Sequence, residues 1–273
     1  MKFLEMLKAR WATADTLLCV GLDPDPARFP EHLVRNDDSI FEFCKSIVDA
    51  TADYVCAFKP QIAYFASTAS EDALQRLIAY IRSSQPDVPV ILDAKRGDMA
   101  STAQHYAREV FDRYNAHAVT LSPYLGFDSI EPYLAYGNRG VFLLCRTSNA
   151  GGDDLQMLTT GSERLYERVA RLASDWDRSG QIGLVVGATY PRELARVRGL
   201  VGEMPLLVPG IGAQGGDVAA SVKAGQTPDG TGVVFNSSRA IIYASGAEDF
   251  ATAAGHAARV ARDEINRYRL ATA

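Results

Sequence analysis

Residues 89–98 read PVILDAKRGD, four apolar residues running directly into a cluster of charges. An apolar run this short, too brief for a helix and bounded by Gly97, reads as a parallel strand covered on both faces. Along such a strand side chains alternate, so Asp93 and Lys95 share one face and Leu92 and Ala94 take the other. The two opposite charges are then spaced ~7 Å apart along one side of the strand. The same grammar recurs about eight times down the chain, as expected of repeated β-then-α units. The other runs are 17–23 (LLCVGLD), 55–61 (VCAFKPQ), 118–123 (AVTLSP), 140–147 (GVFLLCRT), 182–188 (IGLVVGA), 205–211 (PLLVPGI) and 232–238 (GVVFNSS). Amphipathic stretches lie between them, at 40–52, 71–84, 100–114, 162–179 and 248–268. With no linker or shift in composition, the pattern predicts one domain over 1–273, a single α/β domain of the (β/α)₈ TIM-barrel class. An open, doubly wound sheet is the alternative. The barrel is favoured because polar residues collect at the C-terminal ends of the runs: Asp23, Lys59, Asp93, Lys95, Ser122, Thr147, Ser148, Ser237 and Ser238. In a barrel those ends ring one mouth, where chemistry is carried out.

The bulk properties narrow the class further. The 273 residues carry 28 Lys and Arg against 33 Asp and Glu, a net charge of −5 with no basic stripe, which argues against a nucleic-acid partner. No apolar stretch is long enough for a membrane span. In the opening segment Phe3, Leu4, Met6, Leu7 and Trp11 fall at helical spacing, an extra N-terminal helix rather than a signal peptide. Cys19, Cys44, Cys56 and Cys145 form no CxxC pair, and three lie in apolar strand-like runs; buried, reduced thiols and a cytoplasmic location are expected. His32, His105, His117 and His256 are scattered without metal-ligand spacing, so no metal is expected.

The charged cluster has a bland reading and a chemical one. Asp93 and Lys95 could be an ion pair that merely closes the barrel top, but Lys59, after four apolar residues at the end of another run, faces the same mouth. Asp98, next to Gly97 and before Met99-Ala100-Ser101-Thr102, reads alone as a helix N-cap. Asp23 could cap the turn before Pro24 or accept hydrogen bonds from sugar hydroxyls. Farther on, Pro209-Gly210-Ile211-Gly212-Ala213-Gln214-Gly215-Gly216 contains GxGxxG. It comes at the seventh run with no acidic strand end ~20 residues later, which disfavours a dinucleotide fold. Loops after the seventh and eighth barrel strands commonly cradle phosphate, and Ser237-Ser238-Arg239 adds two hydroxyls and a guanidinium to the same rim.

Taken together these residues resemble the orotidine 5′-phosphate decarboxylase family over nearly the whole chain. The centre of the resemblance is Lys59 with the Asp-x-Lys-x-x-Asp set Asp93, Lys95 and Asp98. LDAKRGDM, PGIGAQGGD and SSRAI match in order, and TLSPYLGFDS and CRTSNAGG resemble the longer-chain bacterial subgroup, type 2. The resemblance implies a carboxy-lyase that makes UMP in pyrimidine biosynthesis with no cofactor. It makes Lys95 the proton donor, with Lys59 orienting Asp93 and the ribose. Asp98 would be contributed to the neighbouring subunit's site in a homodimer, beside Met99 and Thr102. Asp23 would hold ribose hydroxyls and Ser148 the pyrimidine, while Pro209, Gly212, Gln214, Ser238 and Arg239 would hold the phosphate end. Ser238 departs from the glycine common there in the family. Keto-gulonate-phosphate decarboxylases and hexulose-phosphate synthases share the Asp-x-Lys-x-x-Asp strand but use Mg²⁺, with a carboxylate in place of Lys59. A Schiff-base aldolase is disfavoured because carboxylates beside Lys59 and Lys95 keep amines protonated. A non-catalytic nucleotide-binding barrel is the remaining alternative.

Overall fold

All eight apolar runs form strands: β1 (Leu18–Leu22), β2 (Ala57–Pro60), β3 (Ile91–Arg96), β4 (Ala118–Leu121), β5 (Gly140–Arg146), β6 (Ile182–Val186), β7 (Leu206–Pro209) and β8 (Val233–Ser237). The computed structural model describes residues 1–34, 38–211 and 217–269. The strands are parallel, and each is a neighbour of the next in sequence, with β8 returning to β1. That cyclic order rules out the doubly wound sheet, whose strand order reverses at a switch point. The ladder between β2 and β3 is reduced to single parallel bridges, Phe58 with Val90 and Gln61 with Asp93, so the barrel is nearly closed.

Helices cover the outside: α1 (Phe3–Thr13) precedes the barrel, followed by α2 (Ser39–Thr51), α3 (Glu71–Ser84), α4 (Ala100–Arg108), α5 (Glu131–Leu134), α6 (Leu165–Trp176), α7 (Pro191–Val201), α8 (Val218–Gly225) and α9 (Phe250–Arg267). The strands contribute Val20, Phe58, Leu92, Phe142, Leu184, Val208 and Phe235, all fully buried. Each such side chain stabilises the fold by roughly 1.5–3 kcal/mol relative to exposure. Phe3, Met6, Leu7 and Trp11 of α1 are buried as their spacing predicts. Phe3 packs edge-on against Phe142 at 5.8 Å, and Arg10 donates to the carbonyls of Ala52 and Val55. The extra helix therefore closes the N-terminal end of the barrel, opposite the charged strand ends.

Two helical expectations shift. The stretch 100–114 is α-helical only through Arg108, because Glu109–Arg113 continues as a π-helical turn. The stretch 162–179 starts at Leu165; before it, Thr159–Thr160 and Glu163–Arg164 pair as a tiny antiparallel hairpin around Gly161, whose φ of 66° suits a tight turn. Among the described residues no helix is long and apolar enough to cross a membrane. All four cysteines are buried and unpaired, and burial pushes the Cys56 thiol up to about 12.

Candidate active site

The C-terminal ends of the strands surround a cavity of about 480 Å³. On its floor, Lys59 from β2 donates to Asp93 Oδ2 at 2.7 Å, and Lys95 donates to Asp93 Oδ1 at 2.6 Å. Thr120 from β4 donates its hydroxyl proton to the same Oδ1 at 2.9 Å. One carboxylate thus accepts from three side chains on three strands.

The electrostatics follow from that geometry. Burial alone would raise the Asp93 pKa, but the Lys59 and Lys95 ammonium groups outweigh it and hold the carboxyl well below its ordinary range. For Lys59 burial works against the charge, and the carboxylates of Asp93 and Asp23 overcome it, so its pKa is raised. The two lysines differ in freedom. The Lys59 side chain is 6% exposed, whereas that of Lys95 is 47% exposed and reaches toward the open cavity.

Alternation along β3 places Asp93 and Lys95 together as the sequence implies, and Arg96 turns outward to pair with Glu109 at 2.9 Å. The strand is not regular, however. The pairing register with β4 slips between Leu92 and Arg96, and Lys95 has φ 47°, a left-handed conformation costly for a side-chain-bearing residue. Thr120 supports this bulge. Its Oγ1 accepts the backbone N–H groups of Ala94 at 3.1 Å and Lys95 at 3.0 Å while donating to Asp93. Thr120 was not singled out from the sequence, although a hydroxyl inside the apolar run AVTL was a visible signal.

The rim carries the remaining groups. Asp23, just past β1, lines the cavity, and its Oδ1 is buried without a hydrogen-bond partner among the described residues. Ser148, Pro209, Ser238 and Arg239 line it as well. Arg239 is exposed, and its guanidinium has neither an ion pair nor a hydrogen bond among the described residues. Ser238 has φ −117°, outside the left-handed region, so its φ does not call for glycine. Its hydroxyl fills the space over Gly21, where a Cβ would lie 1.8 Å from Ser238 Oγ, and it accepts a hydrogen bond from Asn236 at 3.2 Å. Gly212 and Gln214 lie outside the described residues.

Asp98, Met99 and Thr102 do not line this cavity within one chain. The simple N-cap reading of Asp98 also fails: Met99 occupies the N-cap of α4, and among the described residues Asp98 Oδ1 accepts only the adjacent Met99 N–H, at 2.8 Å. Met99 is 56% exposed, an unusual amount for a side chain beside a charged cluster.

One residue absent from the sequence reading organises the cover of the site. Arg146, the last residue of β5, is 1% exposed. Its guanidinium lies over the Tyr190 ring at 3.7 Å, donates to Asp153 Oδ1 at 2.5 Å and reaches Gln156 Oε1 at 3.3 Å. Gln156 in turn accepts the Thr147 N–H at 2.9 Å and donates to Thr147 Oγ1 at 2.8 Å. These bonds fold residues 147–156 against the cavity wall, and Gly152 permits it, because a Cβ there would lie 3.1 Å from Arg146 Nη1. His117 belongs to the opposite end. It adjoins the start of β4, accepts the Val90 N–H at 3.0 Å, and burial lowers its pKa to about 3, with the Arg82 and Arg139 charges adding. Among the described residues no cluster of His, Cys, Asp and Glu could hold a metal ion.

Comparison with known proteins agrees with this arrangement. The family described as orotidine 5′-phosphate decarboxylase / HUMPS matches residues 16–254. The orotidine 5′-phosphate decarboxylase of Azoarcus sp. (strain BH72) is 65% identical over 270 residues, 98% of this chain and 100% of that protein. Its counterpart from Dechloromonas aromatica (strain RCB) is 64% identical over 270 residues with the same coverage. Among solved structures, the OMP decarboxylase of Leishmania donovani superposes with a TM-score of 0.85 at 41% identity, covering 98% of each chain. With Lys59, Asp93 and Lys95 converging inside a barrel of this order, the chain belongs to the orotidine 5′-phosphate decarboxylase / HUMPS family.

Proposed function

We propose that this barrel, one domain over residues 1–273, decarboxylates orotidine 5′-phosphate to UMP, a cytoplasmic carboxy-lyase of pyrimidine biosynthesis of the longer-chain, type 2 subgroup. The observation that carries the reading is the convergence of Lys59 and Lys95 on Asp93, at 2.7 and 2.6 Å, in a cavity whose rim holds Arg239, a guanidinium without a partner among the described residues. The buried thiols support a reducing compartment.

Loss of CO₂ from C6 of the pyrimidine leaves an electron pair in the ring plane, with no adjacent carbonyl to delocalise it. A fixed cation at C6 opposes that charge directly. Lys95 supplies it as an ammonium and then transfers its proton to C6. Asp93 fixes both lysines through its two oxygens, and Thr120 fixes Asp93. A substrate carboxylate would also face Asp93. Two like charges ~4 Å apart cost about 4 kcal/mol at an effective dielectric of 20, but Lys95 cancels part of this, so repulsion is secondary to cation placement.

Asp23 holds ribose hydroxyls, Ser148 the pyrimidine, and Pro209, Gly212, Gln214, Ser238 and Arg239 the phosphate end. Asp98, with Met99 and Thr102, completes the site of a second copy in a homodimer. Following orotidylate absorbance with time tests the activity. Turnover is expected to persist in EDTA, since Lys59 occupies the place of the metal-binding carboxylate in the Mg²⁺-dependent branch. Lys95→Ala should abolish turnover while leaving UMP binding measurable. Retained turnover would remove the assigned proton donor.

A further inference from the structure

Tyr243 follows the short helix Arg239–Ile242 and does not line the cavity, yet its hydroxyl makes two contacts with the turn that carries Asp23. It donates to the Asp23 carbonyl at 2.9 Å and accepts the Asp25 N–H at 2.6 Å. Both capacities of one hydroxyl are therefore spent on the backbone on either side of Pro24. The ring is held from two directions: it stacks on Phe43 with centroids 5.7 Å apart, and the Arg28 guanidinium covers it at 3.9 Å. Burial pushes the hydroxyl pKa up, which keeps the proton it donates. At the other end of the turn, the Asp23 carboxylate has a buried Oδ1 with no partner among the described residues. An unpartnered acceptor of this kind is costly unless a ligand satisfies it.

We infer that Tyr243 is a positioning residue for the sugar end of the site, clamping the Asp23–Asp25 turn so that the Asp23 carboxylate is aimed at a ribose hydroxyl. The inference rests on the reading of Asp23 as the sugar's partner. Its place in the chain adds a second consequence. Tyr243 closes the helical turn opened by Arg239, its N–H donating to the Arg239 carbonyl at 3.3 Å. The element that presents the guanidinium to the phosphate is thus the element that sets the carboxylate toward the sugar. A nucleoside monophosphate is gripped at two points fixed relative to each other through one side chain.

The test compares the affinities of UMP and its 2′-deoxy and 3′-deoxy counterparts for wild type, Tyr243→Phe and Asp23→Asn. In the wild type, the more damaging deletion should weaken binding at least ~10-fold, the scale of a hydrogen bond to a charged group. Tyr243→Phe removes a single oxygen and keeps the ring stacked on Phe43, so the fold is retained. It should shrink the hydroxyl penalty at least ~3-fold, and Asp23→Asn should do the same. A purely structural tyrosine would lower the melting temperature without changing that ratio. If Asp23→Asn shrinks the penalty and Tyr243→Phe leaves it intact, the positioning role is wrong. If neither variant changes it, Asp23 is not the sugar's partner, and the inference falls with that reading.

Discussion

At Asp93 a single carboxylate balances two ammonium groups, one of them almost completely buried, so removing its charge tests the arrangement sharply. In Asp93→Asn the Lys59 ammonium stays in the interior with only Asp23 as a nearby counter-charge. Breaking a buried pair in this way costs roughly 3–5 kcal/mol at neutral pH. The sign of the pH dependence follows. In the wild type the Lys59 pKa is raised, so its contribution is present below the unfolded lysine value and lost only as pH rises through the folded value. Asp93 is depressed, so its contribution is present above the ordinary carboxylate range and lost as pH falls through its lower folded value. Neither changes across the neutral range. In the variant burial acts on Lys59 with only Asp23 among the described carboxylates to oppose it, so its folded pKa is expected to drop below the unfolded ~10.4 and stability to rise with pH. Urea unfolding should therefore show the deficit of Asp93→Asn narrowing from pH 6 to pH 9, and a constant deficit would mean that Asp23 or solvent keeps Lys59 charged without Asp93. Arg239, exposed and with its guanidinium unpaired among the described residues, concerns binding instead. Arg239→Ala should raise KM and lower kcat/KM by at least ~2 kcal/mol, and a change under about threefold would place the phosphate elsewhere.

The strands were legible as elements because a parallel barrel strand is a short apolar run, and six of the eight runs also end in polar residues, 182–188 and 205–211 being the exceptions. What escaped was the function of polar residues inside or at the close of those runs. Thr120 interrupts AVTL and Arg146 closes GVFLLCR, and both turn out to organise the mouth. Periodicity could not place them, since it reports which face a residue takes and not what that face meets. The bulge at Lys95 was hidden for a related reason: Asp93 and Lys95 still meet on one side despite the register slip, so the left-handed backbone left no trace in the pattern. The phosphate loop around Gln214 stays an expectation from sequence, because it lies outside the described residues. Arg146 carries a prediction at this scale. Its pair with Asp153 holds 147–156 against the cavity, so Arg146→Met and Asp153→Asn should each lower kcat/KM by about tenfold, the scale of a charge-assisted contact, and the double variant by little more than either. That coupling should be larger in kcat/KM than in unfolding free energy, because Asp153 is largely exposed and its pair matters chiefly for where the segment rests. Additive losses in kcat/KM would show that the two residues act independently.

At the scale of the whole molecule the single chain leaves one part of the charge set unused. Lys59, Asp93 and Lys95 meet inside one barrel, but Asp98 does not line that cavity and among the described residues accepts only the neighbouring Met99 N–H, with Met99 and Thr102 exposed beside it. We propose that a cluster so placed completes a site by entering another copy. In a two-fold dimer this contact would be reciprocal, so each site would take Lys95 from one chain and Asp98 from the other. Lys95→Ala and Asp98→Ala homodimers should then both be inactive, for different reasons. When the two are mixed and allowed to exchange subunits, a heterodimer pairs the intact Asp98 of one chain with the intact Lys95 of its partner in one of its two sites. The other site lacks both. Random exchange makes half of all dimers heterodimers, so activity should recover to about a quarter of the wild-type value. The recovery should follow the time course of subunit exchange and vanish if exchange is blocked by cross-linking each homodimer beforehand. A mixture that exchanges fully yet stays inactive would place Asp98 in the service of its own barrel, and the separation seen in the single chain would need a different cause.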